Sequence, residues 1–128
     1  MKRTLTRIIM LTVLIGLLPQ LSLAQDEDAA LKQVADIVAS LNHFPSDGDK
    51  STLMAIAEND ALPEGLRGMA TAVANISHSA NAEGKELMSR IGANTQAPDN
   101  ARELAGIISE LNHTPSAAAK ARLAALFP

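Results

Sequence analysis

Apolar residues recur along this chain at helical spacing, and they do so in three stretches. Leu31, Val34, Ala35, Val38 and Leu41 stand at i, i+3, i+4, i+7 and i+10, which is one face of an amphipathic helix. The same spacing returns 35 positions later in Leu66, Met69, Ala70, Val73 and Ile76, and once more in Ala101, Leu104, Ala105, Ile108 and Leu111. A shorter helix is expected after each, with apolar positions at Leu53 and Ile56, Met88 and Ile91, and Leu123 and Leu126. Ser46, Asn81 and Ser116 stand where each shorter helix needs an N-cap, and Asp49, three residues past Ser46, resembles the partner in a capping box. Pro63 and Pro98 suit a first helical turn, where a missing N–H costs nothing. No stretch after residue 24 alternates with period two or gathers β-branched residues, so strands are not expected.

The polar residues carry the same period. Leu41-Asn42-His43-Phe44-Pro45-Ser46 returns 70 positions on as Leu111-Asn112-His113-Thr114-Pro115-Ser116, and Ile76-Ser77-His78-Ser79-Ala80-Asn81 stands midway. All three histidines of the chain, His43, His78 and His113, therefore share one place in the repeat, as do Lys50, Lys85 and Lys120. Three copies follow, roughly 28–62, 63–97 and 98–128, each a helical hairpin. A hairpin this short cannot bury its apolar face alone. The expected fold is thus all-α: three tandem hairpins of about 35 residues stacked as a short right-handed α-solenoid block or a compact six-helix bundle. Repeat length and hairpin plan resemble the tetratricopeptide class of α-solenoids in architecture only. The Trp and Tyr positions of that class have no counterpart in a chain that lacks both residues.

The first 24 residues stand outside this pattern. Lys2, Arg3 and Arg7 precede an apolar run from Ile8 to Leu18, and Ser22-Leu23-Ala24 closes it with residues a signal peptidase reads. The run is well short of the roughly 20 residues a membrane-spanning helix needs. We expect residues 1–24 to be a cleavable export signal, residues 25–128 to form one domain, and the mature protein to be periplasmic or secreted, without a stable membrane anchor. Three of the 11 basic residues and none of the 14 acidic ones lie in the signal, which leaves 8 basic against 14 acidic residues. An acidic domain repels phosphate backbones, so nucleic acid is not an expected partner. The absence of Cys removes disulfides, thiolate metal sites and thiol nucleophiles.

Among the recurring polar residues, the simplest role for His43, His78 and His113 is to close the first helix of each hairpin, where an imidazolium is favoured by the helix dipole and bonds free carbonyls. A metal or haem site is the competing role. Packed helices lie roughly 10 Å apart, so in a straight stack two neighbouring imidazoles could meet across that gap, with Asp47 or Asp49 nearby, but not all three. No metal-ligand set and no cofactor are therefore expected. Lys50, Lys85 and Lys120 would line one edge of the stack beside the histidines as a basic strip able to take a carboxylate-bearing peptide or an anionic glycan. No Gly-x-Ser-x-Gly elbow, His-Glu-x-x-His pair or phosphate loop is present, and no acid recurs to orient a Ser–His pair. The sequence reads as a non-catalytic exported repeat protein that binds a protein or peptide, with a metal or haem carrier using one or two histidines as the alternative.

Overall fold

In a computed structural model that describes residues 26–128, the chain forms six helices: α1 (26–39), α2 (Asp47–Ala57), α3 (Glu64–Ala74), α4 (Ala82–Ala93), α5 (Asp99–Glu110) and α6 (Ala117–Leu126). No strand occurs among the described residues beyond three isolated two-residue bridges. The export signal read over residues 1–24 lies outside them. None of the described helices is long and apolar enough to cross a membrane.

The apolar spacing explains the core. All fifteen positions of the three long faces, from Leu31 to Leu111, are buried, none more than 7% exposed. Leu53, Met88 and Leu123 join them from α2, α4 and α6, and Ile56 is buried where its counterparts Ile91 and Leu126 are half-buried. No polar or charged side chain is buried among the described residues, so the core itself is held by apolar burial. Alanines at 35, 70 and 105 keep side chains small in the core. Gly68 allows close approach at one crossing, since a Cβ there would lie 2.6 Å from Cδ2 of Leu87 on α4.

Local signals place the helix starts. The Ser46 and Ser116 hydroxyls accept from the amides of Asp49 and Ala119 at 3.1 Å, and the Asn81 side-chain oxygen accepts from Gly84 at 2.8 Å. Pro63 and Pro98 differ slightly from expectation: each is the N-cap, extended at ψ 145° and 146°, and the helix begins one residue later.

The arrangement of helices is not an open stack. Helix α2 lies mainly against α3 and α4 mainly against α5, so each short helix covers the long helix that follows it. The end of α6 meets the first long helix. Lys32 on α1 donates to the Phe127 carbonyl at 3.3 Å. Arg67 on α3 donates to Ala57 at 3.1 Å, and Arg102 on α5 to Gly92 at 3.2 Å. Donors 32, 67 and 102 are 35 apart, as are acceptors 57, 92 and 127. One contact is thus made three times around a closed circle, each cation satisfying a carbonyl at the end of a short helix. An open right-handed superhelical block is therefore not what forms, because its first and last members would not touch; the compact six-helix alternative describes the structure.

Candidate functional site

The turns that join α1 to α2, α3 to α4 and α5 to α6 meet at one point. At its centre are His43, His78 and His113, the only non-glycine residues with positive φ among those described, at 69°, 69° and 66°. Phe44 N–H donates to the Asn42 carbonyl, and Thr114 N–H to that of Asn112, both at 2.8 Å, so His43 and His113 each occupy the middle of a tight γ-type turn. Their own main chains bond to one another in a cycle. His78 N–H donates to the His43 carbonyl at 2.6 Å, His113 to His78 at 2.6 Å, and His43 to His113 at 2.7 Å. The left-handed backbone and the cycle occur at the same three residues.

The imidazoles stand together above that cycle. Their centroids are 5.2, 5.2 and 4.9 Å apart, with rings edge to face at 89°, 88° and 80°. One nitrogen from each ring lies within 4.8 Å of the others. An ion at the centre of such a triangle sits at most about 2.8 Å from each corner, against bonds of about 2.1 Å in zinc–imidazole sites. Small torsional movements of exposed side chains cover the difference.

Polar neighbours stand beside the rings. Nδ1 of His43 lies 2.6 Å from the Asn42 side-chain oxygen, and Nδ1 of His113 lies 2.6 Å from that of Asn112. An amide oxygen carries no hydrogen, so an Nδ1–H on these rings would donate to it, and in that tautomer Nε2 is the nitrogen available to a ligand. Such outer hydrogen bonds orient metal-binding imidazoles and raise their basicity. In the middle copy Ser77 Oγ lies 3.5 Å from Nδ1 of His78.

Several expectations change here. The three imidazoles do meet, against the expectation for a straight stack, because closing the circle brings the first and third turns as near to each other as to the second. The histidines do not bond helix-end carbonyls through their rings; their ring partners are Asn42, Asn112 and Ser77. Lys50, Lys85 and Lys120 are exposed in the first turns of α2, α4 and α6 and enter none of the ion pairs among the described residues. Asp47 and Asp49 are not in the cluster, which is made of histidines alone. Asn42 and Asn112 stood in the repeated motif, but a role as ring partners becomes visible only once the turn geometry is known.

A cleft of about 290 Å³ lies at the far ends of α1, α3 and α5, lined by Leu31, Leu66, Met69 and Ala101 between Pro63 and Pro98. It shares no residue with the histidine cluster. No protein-family model, curated protein or solved structure matches this chain.

Proposed function

We propose that this is an exported, non-catalytic protein in which three copies of one helical hairpin close into a ring and bind a divalent late-transition-metal ion on His43, His78 and His113. The observation that carries the reading is the convergence of three ring nitrogens to within 4.8 Å. Neutral imidazoles without thiolate or carboxylate suit zinc, copper and nickel better than magnesium or calcium, which take oxygen ligands. Backbone strain supports the same reading. A left-handed residue other than glycine costs on the order of 1–3 kcal/mol, and glycine would meet the turn's need at lower cost. Three histidines in that conformation suggest that the imidazoles themselves are used. The export pattern of residues 1–24 supports a carrier or scavenger acting outside the cytoplasm.

Titration calorimetry of residues 25–128 with Zn²⁺ and Cu²⁺ tests this. One ion per chain is expected, with affinity falling at least about tenfold in each of His43→Ala, His78→Ala and His113→Ala. Absence of binding at 100 μM metal, or binding unchanged in all three variants, would overturn it.

A protein partner remains the second reading, favoured by one observation: Phe44, next to His43, is 59% exposed, and Met54 on α2 is 44% exposed.

A further inference from the structure

The reading above leaves open how an ion enters and leaves. We infer that the bound ion keeps an outward coordination position for a nitrogen or oxygen donor from solution, and that it is transferred through that position, the incoming ligand binding before the histidines let go. The inference rests on the three-histidine metal reading.

Two sides of the site differ. Inward, the main chains of all three histidines are engaged in their mutual cycle of hydrogen bonds. Two residues before each histidine stand Leu41, Ile76 and Leu111, 4%, 2% and 5% exposed, and no polar side chain is buried anywhere among the described residues. No donor can reach the ion from that side. Outward, His78 and His113 are exposed and His43 is half-buried. The cluster contains no carboxylate, and the chain has no cysteine. Three imidazoles therefore supply three ligands of the four that zinc takes, and the fourth comes from solvent.

Charge selects what replaces that water. Three neutral imidazoles leave both positive charges of the ion uncompensated, so a carboxylate or another imidazole is a better ligand than water. Transfer then needs no redox partner. A metal–donor bond forms as the metal–water bond breaks, the metal–imidazole bonds break one after another, and each histidine leaves neutral with its lone pair. A four-histidine cage would have to lose a protein ligand first.

Rate measurements separate the two routes. The zinc-loaded protein is mixed with 4-(2-pyridylazo)resorcinol, an N,O-donor chelator, in excess, and the coloured complex is followed by stopped flow. The expected rate constant rises about in proportion to chelator concentration over a tenfold range, and 10 mM acetate, competing for the outward position, lowers it. A rate constant independent of chelator concentration would overturn the inference. Calorimetry on the same sample shows whether zinc is held by the three histidines. If it is not, the metal reading falls as well; if it is and the rate is flat, only the exchange route falls.

Discussion

Residue by residue, the histidines carry two demands that oppose each other. Their backbones hold φ near +69°, +69° and +66°, where a Cβ is disfavoured, while their side chains stand together over the cycle of main-chain bonds. Glycine satisfies the first demand and abolishes the second. His43→Gly, His78→Gly and His113→Gly are therefore expected to be more stable than the matching alanine variants by about 1 kcal/mol each in urea denaturation without metal, since alanine keeps the strain and glycine relieves it. Both series should lose metal binding alike. If alanine and glycine variants were equally stable, the left-handed backbone would carry no strain. Asn42 and Asn112 act one step further out: replacing either by Ala leaves all three ligands in place and should weaken zinc binding about 10- to 100-fold through loss of ring orientation.

At the scale of elements, the contact between α5 and α6 is leaner than those of α2 with α3, α3 with α4 and α4 with α5, and a surface ion pair bridges it. Arg122 on α6 meets Glu103 on α5 through two bonds of 2.6 Å. The hydrogen bonds from Arg122 hold the Glu103 carboxyl below its ordinary pKa against an opposing effect of desolvation, and the guanidinium charge adds to the lowering. A carboxyl whose folded pKa is depressed contributes stability above its unfolded pKa and loses it as pH falls through the folded value. Glu103→Gln should thus lower the urea midpoint slightly at pH 7. The difference from the unsubstituted protein should shrink as pH falls through the lowered Glu103 value and the carboxyl becomes neutral like the amide. Because both partners are exposed, 0.5 M salt should shrink the effect at pH 7. A difference that persisted unchanged in acid would mean that Glu103 acts by packing.

For the whole molecule, the seam between first and last turns is the one the chain does not cross. Residues 58–63 and 94–98 link the other neighbours covalently, whereas α1 and α6 are joined by the Lys32–Phe127 contact and the His43–His113 main-chain bond. A metal held by His43 and His113 ties this seam. Ligand at 100 times its dissociation constant stabilises by about 2.7 kcal/mol, which for about 100 residues raises the melting temperature by roughly 10 °C or more. Deleting residues 98–128 removes His113 and one side of the seam. That product should show neither a sharp melt nor a zinc-dependent shift; circular dichroism with and without zinc checks both.

Much of this was legible in the sequence, for reasons that are local. Helical periodicity is set by the chain's own geometry, so the buried faces from Leu31 to Leu111 follow from spacing, and the caps at Ser46, Asn81 and Ser116 from side chains that reach their own next turn. The alignment of histidines at one place in a 35-residue period was equally plain. What spacing does not contain is curvature. The angle between successive hairpins is fixed by side-chain volumes such as Ala70 and Gly68 packing at helix crossings, and it decides whether equivalent residues form a row or a ring. The contacts of Lys32, Arg67 and Arg102 were 35 apart in the sequence too, but their acceptors are main-chain carbonyls, which every residue has and which leave no mark in a residue pattern. Only the tertiary structure, by closing the circle, turned three distant histidines into one cluster, because bringing first and last copies together is a property of all three crossings at once and of none alone.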